Sequence, residues 1–254
     1  ISRYGIDRWK HYRLPDLLTE LSSLSGDFWI RCLYCYPNSV DSRLLATIAE
    51  QPKIVPYLDV PFQHVDPDVL DRMGRPFGHL DPDKIVSHIR AAVPNIALRT
   101  TVLVGFPGET RRAHQNLLAA MRRLRFERLG AFIYSAEDGT EAAGFPDQIP
   151  MATRRRRWNR VMETQAEIAA ACSAARVGSR IRVLVEDYNE QTGYYVARSA
   201  WEAPEIDGQV YVKSPKALRQ GTFCDVEVIS ADVYDIYAQP LQKQKKIARK
   251  EQAP

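Results

Sequence analysis

The sequence has no apolar run long enough to cross a membrane, and it contains very little cysteine. Its apolar stretches all fall short of the ~20 residues that a membrane helix needs. The first thirty residues carry charges throughout, so we expect no secretory signal peptide among them. Four cysteines in 254 residues are too few for a disulfide scaffold. We therefore expect a protein of the reducing cytoplasm that has no membrane partner.

The sequence also lacks a convincing metal site. Cys32 and Cys35 are close together, but they fall in a predicted strand, where residues three apart point to opposite faces. Neither glycine nor proline lies between them to form a chelating turn. We predict no metal ligands in this chain and interpret Cys172 and Cys224 as core residues.

Positive charge is concentrated in two short segments, although the net charge is only +4. Four arginines occupy 154–157, and five lysines and arginines lie within 243–250. Such runs attract polyanions, so the second segment predicts contact with ribosomal RNA by a basic tail. A solvated helix face for the first run and a disordered tail for the second remain the simpler alternatives.

Two hydrophobic periodicities divide the chain. Up to about residue 176, apolar runs alternate with helical patterns, which is typical of an α/β fold with a parallel sheet. From 177 to 240 the period changes to two, with glycines in the turns, and this predicts a small β-barrel of about five strands. The predicted strands of the first part are 28–36, 55–60, 97–104 and 129–134. The predicted helices are 14–24, 42–50, 82–92, 111–125 and 152–176.

Three of the predicted strands end in polar or glycine-containing segments. Gly105 and Gly108 follow the third strand and let backbone approach a ligand without a Cβ atom in the way. Gln63 follows the second strand and can donate and accept hydrogen bonds at once, whereas His64 is more typical of a structural residue. Because parallel strands end at one edge, these tips and Ser135 predict a shared ligand site. A tight turn without a ligand is the alternative at 105–108.

Several segments resemble the methylthiotransferase family of radical S-adenosylmethionine enzymes. They are Arg3-Tyr4-Gly5, Trp29-Ile30-Arg31, 57–64, 99–110, 134–140 and Ala203-Pro204-Glu205-Ile206-Asp207-Gly208. The resemblance covers about 1–240. It implies an incomplete radical S-adenosylmethionine (β/α)6 partial TIM barrel at 1–176 and a TRAM-like barrel at 177–240. The polar and basic composition of 241–254 predicts a tail.

The segment Gln63-His64-Val65 resembles the branch that modifies a ribosomal protein, because the transfer-RNA branch typically has Gln-Ser-Gly there. That branch adds a methylthio group to the β-carbon of an aspartate in the twelfth small-subunit ribosomal protein. It uses S-adenosylmethionine and 4Fe-4S clusters, and the barrel is implied to hold the protein substrate. A transfer-RNA methylthiotransferase and a non-catalytic ribosome- or RNA-binding fragment are the alternatives.

The resemblance also implies residues that contact S-adenosylmethionine, while it places no catalytic side chain in this chain. Those implied for the cofactor are Gln63, Arg99, Val104, Gly105, Phe106, Glu109, Tyr134 and Ser135. The family holds its cluster with a Cys-x-x-x-Cys-x-x-Cys loop after the first strand, and that spacing is absent here. We expect the loop upstream of Ile1, and we expect this chain alone to be inactive and to self-associate through an exposed sheet edge.

Overall fold

A computed structural model of the chain describes residues 1–75 and 81–241. It shows a four-stranded parallel sheet layered with helices, followed by a closed barrel of five strands. The predicted α/β part and the predicted small barrel are therefore both confirmed. The basic run within 243–250 lies outside the described residues. Across the described ranges, no helix is long and apolar enough to span a membrane.

Four of the seven helices in the described ranges begin at a side chain that caps them. Asp41, Asp66, Asp81 and Thr110 each accept a hydrogen bond from a backbone N–H inside the helix that follows, which satisfies donors that the helix itself leaves unpaired. The helices are α1 Ile6–Trp9, α2 Leu14–Ser23, α3 Ser42–Glu50, α4 Pro67–Arg72, α5 Pro82–Ala92, α6 Arg111–Leu124 and α7 Met151–Ala174. The five predicted helices are all present, with ends shifted by at most two residues. α4 was not predicted, although its Asp-Pro start is a helix signal.

The strands pair in the order β1-β2-β3-β4 in the sheet and β5-β6-β7-β9-β8 around the barrel. Their bounds are β1 Ile30–Cys32, β2 Ile54–Asp59, β3 Ala97–Val104, β4 Arg128–Ile133, β5 Arg180–Asn189, β6 Tyr194–Ser199, β7 Val210–Val212, β8 Phe223–Ala231 and β9 Ile236–Pro240. The domain boundary proposed at residue 176 stays a prediction; it falls between the end of α7 and the start of β5.

β1 is much shorter than predicted. Tyr34 has a φ of 57°, so the extended backbone cannot continue past Cys32. As a result Cys32 and Cys35 pack into the same core, and the prediction that they face opposite sides is wrong. Burial raises the pKa of Cys32 to about 11 and that of Cys35 to about 12, which disfavours the thiolate that binds metals. The described residues contain no group of three or more His, Cys, Asp or Glu that could hold a metal.

The two faces of the sheet have different partners. On the outer face, Leu58, Leu98 and Val102 are buried in one large core with the helices. On the inner face, the start of the sheet is covered by the loop between β6 and β7. Ala203 of that loop packs in a small cluster that includes Tyr57 of β2. In the described residues, the inner face is open near the strand ends, around Thr101 and Phe132.

Candidate functional site

An open cavity of about 300 Å³ lies on the inner face of the sheet, at the carboxyl ends of its strands. Its lining residues come from β3, β4 and the segments that follow β1 and β2. They are Tyr34, Cys35, Tyr36, Pro61, Gln63, Arg75, Thr101 and Phe132. Ligands of parallel α/β folds bind at this edge of the sheet, so the cavity is the candidate site.

Gln63 is held at the cavity by its backbone. Its N–H donates to the carbonyl of Thr101 at 2.8 Å, and its carbonyl accepts from the N–H of Leu103 at 2.8 Å. Its φ of 69° is strained for a residue with a Cβ atom. Within the described residues, the side-chain amide makes no hydrogen bond to the protein. A fixed backbone with an unused donor and acceptor suits ligand recognition.

Four other predicted site residues gather behind the strand tips instead of in the cavity. Phe106 and Tyr134 are buried with their ring centroids 5.1 Å apart, edge to face. Gly105 donates its N–H to Glu109, whose side chain is fully buried. The arrangement forms a packed turn after β3.

Glu109 is the centre of this turn. Besides Gly105, its carboxylate meets Arg157 Nη1 at 2.9 Å, His114 Nδ1 at 3.3 Å and His64 Nε2 at 3.7 Å. Burial alone would raise the pKa of Glu109, but the neighbouring His114, His64 and Arg157 outweigh burial and lower this pKa well below its ordinary value. Glu109 is therefore an ionised structural group, and the ligand contact expected of its side chain is not available.

His64 is structural, as its strand-end position indicated. Its ring is completely buried, and its Nδ1 accepts a hydrogen bond from the N–H of Asp66 at 3.0 Å. In a neutral ring the proton then resides on Nε2, the nitrogen nearest Glu109. The histidine thus orients the turn and does not reach the cavity.

The two glycines of the turn accommodate arginine side chains of the chain itself. A Cβ atom on Gly105 would stand 2.9 Å from Cβ of Arg154 and nearer still to its Cγ, and one on Gly108 would stand 2.6 Å from Cζ of Arg72. Arg154 is buried and donates to the carbonyl of Tyr134 at 2.8 Å. We predicted that these glycines let a ligand approach the backbone. The structure corrects this: the space beside them is filled by the side chains of Arg154 and Arg72.

Three predicted site residues stand apart from both groups. Val104 is completely buried in the core under the helices, and Ser135 is exposed. Arg99 pairs in register with Arg128 at the start of β4, so it lies six residues, or roughly 20 Å, before Gly105 along the strand. Its guanidinium donates to Asp207 Oδ1 at 2.7 Å. We therefore assign Arg99 to the contact with the barrel and not to the cavity.

Several residues that line the cavity were not predicted from the sequence. Thr101 and Phe132 alternate with core residues along β3 and β4, and Phe132 is 61% exposed inside a strand predicted to be covered on both faces. The alternation was a signal, because it places every second residue on the inner face. Tyr34 and Tyr36 follow β1, and Tyr34 itself has the left-handed backbone that ends the strand. The sequence pattern did not indicate this turn.

Comparison with known proteins shows what the barrel and the chain as a whole are similar to. The TRAM domain family matches residues 177–241. A ribosomal protein uS12 methylthiotransferase RimO of Opitutus terrae is 44% identical over 238 residues, 94% of this chain and 49% of that protein. RimO of Thermosynechococcus vestitus is 42% identical over 93% of this chain and 52% of its own length. RimO of Carboxydothermus hydrogenoformans is 39% identical over 92% and 53%.

Among solved structures, coproporphyrinogen III oxidase (HemN) of Escherichia coli, a radical SAM enzyme, aligns with a TM-score of 0.49. It is 17% identical and covers 61% of this chain and 36% of that one, a weak likeness. The chain spans about half the length of the curated relatives it matches. Over that half, its sequence is similar to the RimO proteins at 39–44% identity, and its barrel matches the TRAM domain family.

Proposed function

We propose that this chain is part of a cytoplasmic methylthiotransferase that modifies ribosomal protein uS12 at the β-carbon of an aspartate. The observation that carries the proposal is 39–44% identity to RimO proteins over more than nine-tenths of the chain. In this proposal 1–176 bears the cofactor site and 177–240 holds the protein substrate. Both parts of the division are supported by the change from parallel sheet to closed barrel.

The cavity fits the adenosyl part of S-adenosylmethionine. The unpaired amide of Gln63 can donate to and accept from ribose hydroxyls, and the exposed rings of Tyr34 and Phe132 offer faces for adenine. When bound here, S-adenosylmethionine would supply radical chemistry. The residues of this chain would bind the adenosyl group, orient it and keep water away from it.

The residues do not fit a 4Fe-4S cluster. Cluster ligation needs several thiolates at one place. Cys32 and Cys35 are buried in the core, Cys172 lies on α7 and Cys224 in the barrel. We therefore propose that the cluster is held by residues other than those of the described ranges, and we expect no catalysis by this chain alone.

Calorimetry with S-adenosylhomocysteine tests the cofactor site on the full chain. Gln63→Ala should weaken binding about tenfold, the loss expected for one or two hydrogen bonds. Gln191→Ala, at an exposed turn of the barrel, is the matched control and should bind normally. Arg99→Gln should also leave the affinity unchanged. Unchanged affinity in Gln63→Ala would refute the site.

Anaerobic reconstitution with iron and sulfide tests the cluster statement separately. We expect far less than one cluster per chain, because no thiolates are grouped to hold it. Four irons bound per chain would contradict the proposal. This result is independent of the calorimetry, so the two parts of the proposal can fail one at a time.

Transfer RNA is the second candidate substrate, because the barrel surface offers aromatic faces. Tyr211 and Tyr237 stack with centroids 5.4 Å apart, Tyr194 meets Tyr237 edge to face, and Lys213 lies 4.9 Å from the Tyr194 centroid. Stacked aromatic rings beside a cation are typical of single-stranded RNA contacts. Pull-down from lysate at about 200 mM salt distinguishes the candidates. We expect uS12 to be retained, whereas selective retention of transfer RNA would favour the alternative.

A further inference from the structure

A large basic groove lies between α6 and α7, on the side of the sheet opposite to the candidate cofactor cavity. Its volume is about 590 Å³. It is lined by Arg111, His114, Gln115, Leu118, Arg122, Thr153, Arg156, Arg157 and Arg160. Only two of the five arginines belong to the run at 154–157, so the groove is a product of helix packing and not of the linear run.

Most of the positive charge in the groove is unmatched. Arg157 is paired with the buried carboxylate of Glu109. Arg122 donates to Thr164 at 3.2 Å and Arg156 to Thr153 at 3.1 Å, both neutral partners. Within 1–75 and 81–241, none of Arg111, Arg122, Arg156 and Arg160 has a carboxylate partner. Four exposed guanidinium groups around one concavity favour a bound anion, because their mutual repulsion is otherwise uncompensated.

A second, independent observation also indicates a ligand. His114 lines the groove and is only 8% exposed. Its Nδ1 faces the carboxylate of Glu109 at 3.3 Å, whereas its Nε2 has no hydrogen-bond partner among the described residues. A buried polar group without a partner costs free energy unless a ligand or water satisfies it.

We propose that this groove binds the phosphate backbone of RNA. Arg111 and Arg122 are eleven residues apart on α6, which separates them by roughly 16 Å, too far for one phosphate to bridge. Guanidinium groups match phosphate oxygens in pairs, and Gln115 and Thr153 are typical additional partners of phosphates. The groove therefore follows several consecutive phosphates of one strand.

RNA fits the groove better than an acidic peptide does. Peptide recognition gains most of its free energy from apolar or aromatic anchors in pockets. Among the described residues that line the groove, Leu118 is the single apolar one, and its side chain is half-buried. None of these lining residues is a Phe, Tyr or Trp that could stack on a base. Recognition would rest on charge and be independent of nucleotide sequence.

Fluorescence anisotropy of the full chain with a labelled oligouridylate of about twenty nucleotides tests the proposal. The groove variant carries Arg111→Gln, Arg122→Gln and Arg160→Gln. The control, Arg112→Gln with Arg155→Gln and Arg219→Gln, removes the same charge at exposed arginines outside the groove. All six side chains are exposed, so both variants should fold, which circular dichroism verifies.

We expect the groove variant to bind about tenfold more weakly than the control and to have a shallower salt dependence. Over about 50–200 mM potassium chloride, its slope of log K against log salt should be smaller by about 2, for three lost single-strand phosphate contacts. Equal losses in both variants would overturn the proposal in favour of attraction by net charge. Displacement of the RNA by polyglutamate at equal charge would overturn it in favour of an acidic peptide.

Discussion

At the scale of single residues, the turn after β3 is shaped by side chains that the chain supplies to itself. Arg154 fills the space over Gly105, and Glu109 neutralises the charge of Arg157 while it accepts from Gly105. The turn is therefore rigid before any ligand binds. A pre-formed edge loses little conformational entropy on binding, which favours affinity.

Replacement of Gly105 by alanine should destabilise the protein by about 3 kcal/mol, from left-handed backbone strain and the clash with Arg154. Gly105 has a φ of 77° and Gly139 a φ of 80°, but nothing lies within 4 Å of a Cβ atom at Gly139. Gly139→Ala is thus the matched control and should cost only about 1 kcal/mol. Urea unfolding measures both, and equal costs would show that Arg154 moves aside.

Replacement of Glu109 by glutamine should lower the free energy of unfolding by about 2 kcal/mol at neutral pH, because charged hydrogen bonds are lost. The pKa of Glu109 is lowered in the folded state from 4.5, so the stabilisation is complete above pH 4.5 and is lost as the pH falls through the folded value. The difference in the free energy of unfolding between Glu109→Gln and the wild type should therefore become smaller in acid. Exposed Glu137→Gln is the control; a difference that widens in acid would contradict the assignment.

At the scale of elements, the loop between β6 and β7 fastens the barrel to the sheet. Glu202 is fully buried and accepts from Arg128 at 3.0 Å and from Arg176 at 2.5 Å. Asp207 accepts from Tyr57 Oη at 2.7 Å and pairs with Arg99. These contacts cover the inner face at the start of the sheet. They confine any ligand to the strand ends.

Replacement of Glu202 by alanine should cost about 3–5 kcal/mol, because Arg128 and Arg176 would be left buried without a counter-charge. Glu205→Ala, on the same loop but exposed, should change stability by less than about 0.5 kcal/mol. Thermal unfolding of the full chain compares the two. Similar melting temperatures for both variants would mean that water reaches the arginines and that the buried cluster does not hold the barrel.

At the scale of the whole molecule, the sheet ends in the edge strand β1, whose outer side pairs with no other strand of the described residues. β1 pairs only with β2 within the described residues, and it is three residues long. An unpaired edge favours association with another chain. We expect light scattering to report a mass above that of the monomer, rising with concentration. A monodisperse monomer at all concentrations would contradict this expectation.

The order of the elements and their type were predictable from local pattern. β3 has the predicted bounds, as do α3 and α5, because apolar period, caps and turn residues act within a few positions of one another. The length of β1 was overestimated, because no local sequence signal indicates the left-handed backbone of Tyr34. Gln63 at an open strand tip was likewise predictable, whereas the buried roles of Val104 and Glu109 were not.

The sequence by itself determined the parallel sheet, the barrel and the strand tip at Gln63. Only the tertiary structure decided that Arg99 pairs with Asp207, 108 residues away, that Arg154 packs on Gly105, and that arginines of α6 and α7 share one groove. The physical reason is the separation along the chain over which each kind of interaction acts. Backbone geometry and periodicity act between near neighbours, whereas the partner of a charged or buried side chain is set by which distant segments pack together.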